Sequence, residues 1–182
     1  MRKTWLLLVP VLFAIAATIM LFGPYPEITA QLEGVTPLEE SPATVEREAR
    51  VRERLGEDIS LYRPHLVLDI PFAAANAGVL ALLIAFAASR VLAGGRMRCV
   101  LLSVPALLFV SELVENVALF VALFVQRGEG AWLTTAEVAT GAKLALIPTS
   151  GLIALGLWVA LGARWANGLI RRRRVAMRVA TQ

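Results

Sequence analysis

The chain has 182 residues, 58% of them hydrophobic and 18% charged, with a formal net charge of +4. Its Ala, Val, Leu, Ile and Phe residues come in runs of spanning length rather than at amphipathic spacing, which excludes a soluble domain. The modest charge, the few aromatics and the placement of arginines at the ends of apolar runs exclude a nucleic-acid partner.

Residues 4–22 follow Arg2 and Lys3 and read as a first transmembrane helix. A secretory signal shares the basic start, and Ala14-Ile15-Ala16 imitates a cleavage site. That triplet falls in the middle of the run, however, and a run of about 19 residues exceeds a normal signal core. An uncleaved anchor is expected.

Residues 23–65 form the one sizeable segment outside the membrane. Pro24, Pro26, Gly34 and Pro37 make its first half irregular. A helix is expected from Ser41 as N-cap, with Pro42 at the first position, to Gly56. Glu46 with Arg50 and Glu48 with Arg52 are supporting pairs, while Val45, Ala49 and Leu55 supply a thin apolar stripe. The alternating charge suits a solvated helix over the mouth of the bundle better than a receptor surface. His65 is the only histidine, so a bis-histidine haem is excluded within one chain and a zinc site is not expected.

The second span covers residues 66–92 and opens near Asp69-Ile70-Pro71. Asp69 reads first as its N-cap, with Pro71 in the first turn. Asn76 shares the face of Asp69, which leaves a site role as the other reading. The third span covers residues 99–125, starting at Cys99, the lone cysteine, so paired-thiol redox chemistry is excluded. Within it, Glu112, Glu115 and Asn116 share one helical face. The fourth span covers residues 132–163 and carries Lys143 in its first half. Pro148, just beyond, is expected to kink it and widen a cavity. Gly141, Gly151, Ala154 and Gly156 suit close helix contact. Trp5, Trp132, Trp158 and Trp165 fall near span ends, as interfacial aromatics do.

The expected fold is therefore an all-α, four-helix transmembrane bundle with a short extracytoplasmic helical segment between its first two spans. Arg2 and Lys3, then Arg90, Arg96 and Arg98, then Arg164 and the tail at residues 164–182 put three basic groups on one side. The opposite short connection holds only Arg127 and Glu129, and in the 23–65 segment acidic residues outnumber arginines. By the positive-inside bias both ends are cytoplasmic, in a bacterial inner membrane. Arg171, Arg172, Arg173 and Arg174 suit anionic lipid headgroups as well as fixing topology.

A charge near the bilayer centre costs at least roughly 2.5–3.5 kcal/mol on insertion scales, so intramembrane charges seek partners. Lys143 is the expected partner of Glu115 or Glu112, with Asn116 donating to a carboxylate. One lysine cannot neutralise two glutamates, so one of them should hold a proton or meet water. At these residues the chain resembles a family of small four-span bacterial membrane proteins without an assigned activity. The resemblance rests on Asp69, on Glu112-Leu113-Val114-Glu115-Asn116, on Lys143, and on Leu55-Gly56 and Tyr62 before the second span. It implies the architecture and no chemistry.

Two functions fit. One is a non-catalytic binding, assembly or accessory bundle, needing no cofactor, whose partner beyond the bilayer is another membrane protein or a second copy. The other is an intramembrane enzyme or proton-coupled carrier, with Glu112 or Glu115 moving the proton, Lys143 tuning it and Asn116 orienting a ligand.

Overall fold

The computed structural model describes the backbone of residues 4–125 and 130–180, and all their side chains except those of residues 4–7, 20 and 171–180. Arg2, Lys3, Arg127 and Glu129 lie outside the described residues, as do the side chains of Trp5, Arg171, Arg172, Arg173 and Arg174. The described chain is all helical: α1 (Thr4–Phe22), α2 (Tyr25–Leu32), α3 (Val45–Leu55), α4 (Tyr62–Val91), α5 (Gly95–Phe120) and α6 (Gly130–Ala180). A wide π-type turn at Val121–Val125 extends α5, and 3-10 turns at Leu38–Glu40 and Gly56–Leu61 flank α3.

Three stretches long and apolar enough to cross a membrane lie in α4, in α5 with its wide turn, and in α6. Among the residues described with their side chains, the apolar stretch of α1, Leu8–Ile19, is shorter. Helices α4, α5 and α6 pack on one another, and α1 packs along α4. Gly78 marks that second seam, since a Cβ there would stand 3.3 Å from Leu12 Cδ1. The chain leaves α1 at Gly23, where a Cβ would lie 2.4 Å from the Ile19 carbonyl oxygen. The bundle wears its apolar side chains outward: Val67, Val110, Leu152, Leu155 and Val159 are all exposed. Such a surface is costly in water and suits lipid.

Helix α3 starts later than Ser41. Thr44 caps it, its Oγ1 accepting from Arg47 N at 3.3 Å, and Gly56 closes it at φ 54. Ser41 is extended, as a residue before proline tends to be. The Arg47 guanidinium holds residues 36–42 as a loop by donating to the carbonyls of Thr36, Pro37 and Pro42 and to Ser41 Oγ. The expected stripe is also corrected: Val45 and Ala49 are exposed, while Arg47, Glu48, Val51 and Leu55 are buried. Of the two expected pairs, Glu48 binds Arg52, whose guanidinium also reaches the Leu123 carbonyl of the wide turn.

Helix α3 is thus only partly solvated. With α2 and the intervening loop it forms a platform over one end of the bundle. Ile28, Leu32, Leu38, Val51 and Leu55 from the platform share a core with Tyr62, Leu66, Leu119, Leu123 and Leu133 from the spans. Each fully buried Leu or Ile there contributes roughly 2 kcal/mol relative to exposure.

The opposite end is filled by Ile84, Ala87, Ala88, Ala154 and Leu157, with Phe86 stacked on Trp158 at 5.5 Å. There Arg98 donates to the Leu92 carbonyl and Arg164 to that of Arg90 at 2.9 Å, satisfying the orphan end of α4. Of the small residues expected to make close contacts, Ala154 does, whereas nothing lies within 4 Å of a Cβ at Gly141, Gly151 or Gly156. Helix α6 runs through Pro148 and continues beyond the expected end of the fourth span. The groove beside it lies before Pro148, reaching from Thr134 to Leu146 on α6, with a volume of about 590 Å³.

Candidate functional site

The spans bring their ionisable groups together beneath the platform. Glu115 sits on the face of α5 that meets α6 and has no exposed surface. Helical geometry puts Thr140 and Lys143, three residues apart, on the facing side of α6. Thr140 Oγ1 donates to Glu115 Oε1, and Lys143 Nζ lies 2.5 Å from Glu115 Oε2. Glu112, one turn along α5, has its Oε2 3.5 Å from the same ammonium. Both expected partners of Lys143 are therefore in contact with it, Glu115 more closely.

The third contact of Lys143 comes from the platform. Its ammonium donates to the backbone carbonyl of Glu39 at 2.8 Å. The ammonium thus serves one backbone carbonyl and two carboxylates at once. The side chain of Glu39 turns to α4, where Oε1 lies 2.7 Å from His65 Nε2. Tyr25 and Tyr62 pack their rings on His65 at 5.4 and 5.9 Å, and the Tyr62 hydroxyl accepts from Leu38 N at 3.3 Å. The loop carrying Glu39 is thus fixed from α4, from α6 and, through Arg47, from α3.

Asp69 is not the cap of α4. That helix starts at Tyr62, with no side-chain cap at Leu61, so Asp69 stands two turns inside it. The 3-10 turn Gly56–Leu61 feeds directly into α4 and removes the need for a capping side chain. Asp69 Oδ2 instead accepts from Asn116 Nδ2 at 2.8 Å, joining α4 to α5. Asn76 is half-buried and has no hydrogen-bond partner among the described residues, so it stays apart from the cluster.

From the start of α6, Lys143 lies thirteen residues in, about 20 Å at 1.5 Å per residue. The cluster therefore occupies the platform half of the bundle, with the apolar plug of Ile84, Ala88, Ala154 and Leu157 below it. It holds four carboxylates, Glu39, Asp69, Glu112 and Glu115, against Lys143 and His65. Among the described residues no three His, Cys, Asp or Glu side chains converge as a metal site requires. What the arrangement can do chemically is hold and exchange protons or small cations, and tie the platform to the spans.

Glu39, Thr140, His65 and Arg47 belong to the arrangement without having been singled out for it. Thr140 was legible, being one turn from Lys143 on the same face. Glu39 and Arg47 were not, since neither an isolated acid in a proline-rich stretch nor one arginine among several carries a spacing signal. Comparison of the chain with family models, with curated proteins and with solved structures finds no match.

Proposed function

We infer that the protein is a four-span component of a bacterial inner membrane, with both termini cytoplasmic, that acts as a non-catalytic binding or assembly bundle. Its outer platform is the presenting surface. We place it beside the small four-span proteins that share the acidic-x-x-Glu-Asn motif at Glu112-Leu113-Val114-Glu115-Asn116.

The observation that carries this reading is the double use of Glu39: its carbonyl receives Lys143 and its carboxylate meets His65. The intramembrane charges are spent on one another and on seating the platform. The apolar plug at the other end favours a rigid anchor over a pathway. Arg90, Arg96, Arg98 and Arg164 at that end support the cytoplasmic assignment. The tail continues α6 as a helix to Ala180, which carries Arg171, Arg172, Arg173 and Arg174 along a rod suited to an anionic membrane surface.

The carrier or enzyme reading keeps one observation in its favour, the excess of carboxylates over cations in the cluster. Cross-linking from a cysteine placed at exposed Glu53 on α3, followed by purification in mild detergent and mass spectrometry, separates the two. One stoichiometric membrane-protein or self cross-link is expected. A retained small molecule with no cross-linked protein would favour the carrier or enzyme.

A further inference from the structure

On the outside of the bundle, at the seam of α4 and α5, Leu66, Val67 and Ile70 stand with Asn116, Val117 and Phe120 around a groove of about 210 Å³. Leu66 and Asn116 are buried and form its floor, while Val67, Ile70, Val117 and Phe120 are exposed and form its lips. Apart from Asn116, whose amide donates to Asp69, the lining is apolar.

A cation stands at one end of this groove. Arg63, Val67 and Ile70 share one stripe of α4 at helical spacing, about 10 Å long. The Arg63 guanidinium lies over the Phe124 ring, 4.7 Å from its centre, and Phe124 packs on Phe120 of the groove at 5.4 Å. The wide turn at Val121–Val125 carries Phe124, and such turns recur at functional sites. Arg63 is exposed, and among the described residues its guanidinium has no carboxylate and no hydrogen-bond acceptor. Arg63 precedes the apolar run of α4, and Phe124 closes that of α5. The cation is therefore at headgroup level and the groove at the level of the acyl chains.

Size and charge select the occupant. A helix about 10 Å across would fill 210 Å³ within roughly 3 Å of its length, so the groove takes a chain and not a helix. The open guanidinium calls for an anion, and its fork of donors matches phosphate oxygens. The larger groove between α5 and α6 has no charged side chain in its lining and offers nothing to select a headgroup.

We propose that the α4–α5 groove holds one acyl chain of an anionic phospholipid whose phosphate pairs with Arg63. The lipid belongs to the leaflet on the platform side, at the opposite end of the bundle from the arginine-rich tail. This goes beyond the assembly reading and does not depend on it: an empty groove leaves the platform contacts of Lys143 and His65 in place.

The test uses the full chain in lipid nanodiscs doped with phosphatidylglycerol carrying a diazirine in the upper part of one acyl chain. After illumination, adducts are mapped by mass spectrometry, with lipid-exposed Leu152 and Leu155 on α6 as the internal standard for bulk lipid. Expected is enriched labelling at Val67, Ile70, Val117 and Phe120, competed by plain phosphatidylglycerol and not by phosphatidylcholine. Arg63→Gln should cut that enrichment about tenfold, as loss of a hydrogen-bonded charge pair would, without changing the label on Leu152 and Leu155. Val67→Trp, at the lip, should block the groove and lower its labelling whichever headgroup is used; it carries the test if Arg63→Gln does not fold. Labelling in the groove no higher than at Leu152 and Leu155 overturns the site. Equal competition by phosphatidylcholine overturns it too, as does enrichment that survives in Arg63→Gln.

Discussion

Lys143→Met removes the one cation that, among the described residues, faces Glu115 and Glu112. Methionine keeps the length and apolar stem of lysine, so packing changes little and the charge effect is isolated. Three contacts are lost, at 2.5 Å to Glu115, 3.5 Å to Glu112 and 2.8 Å to the Glu39 carbonyl. Breaking a buried pair strands the partner, which typically costs roughly 3–5 kcal/mol. Lys143 is 7% exposed and Glu115 has no exposed surface, so solvent screening offers little relief. For a chain of this size the loss corresponds to a fall in Tm on the order of 10 °C. Glu115→Gln in the Lys143→Met background should recover part of it, because the amide still accepts from Thr140. Glu112→Gln should recover less, since Glu112 stands farther from the ammonium and keeps some exposure. A double-mutant cycle on reversible unfolding in detergent gives both couplings. Equal couplings, or a loss under about 1 kcal/mol for Lys143→Met, would refute the assignment of Glu115 as principal partner.

Arg47→Ala strips the donors from the Thr36, Pro37 and Pro42 carbonyls; at roughly 1 kcal/mol or more per bond, hydrogen exchange across residues 36–44 should quicken at least tenfold while α5 stays protected. Gly23→Ala sets a Cβ against the Ile19 carbonyl and should destabilise the α1–α2 junction by about 1–3 kcal/mol, read as a lower Tm; a silent substitution would mean that the chain leaves α1 by another route. In a Cys99→Ser background, an impermeant thiol reagent on intact spheroplasts should label a cysteine at exposed Glu33 and spare one at Gln182; the reverse pattern would invert the topology.

The fold was largely legible because lipid simplifies the problem. Long apolar runs in a bilayer have only the helix available, and the predicted limits 66–92 and 99–125 lie within a few residues of α4 and of α5 with its wide turn. Legibility failed where local rules met tertiary partners. Ser41-Pro42 satisfies every local condition for a helix start, yet the Arg47 guanidinium gathers the preceding carbonyls and delays the helix to Thr44. Asp69-Ile70-Pro71 likewise looks like a capped start, but α4 has already begun at Tyr62 and the aspartate is used sideways, by Asn116. Composition suggested glycine contacts along α6, but a glycine contacts something only if a neighbour lies on that side, and for Gly141 and Gly156 none does.

The site divides along the same line. Contacts between spans follow from periodicity and charge, because Glu112, Glu115, Asn116 and Lys143 have nowhere to go but inward. The contact between span and platform does not, since Lys143 and the Glu39 carbonyl are 104 residues apart and a backbone carbonyl leaves no mark in a sequence. That hidden contact changes what the buried charges mean. A Lys–Glu pair confined to α5 and α6 would fix only how two helices meet. The same lysine donating into the loop makes helix packing and platform seating one equilibrium, so an ion, a proton or a partner acting on either side of Glu39 is felt on the other.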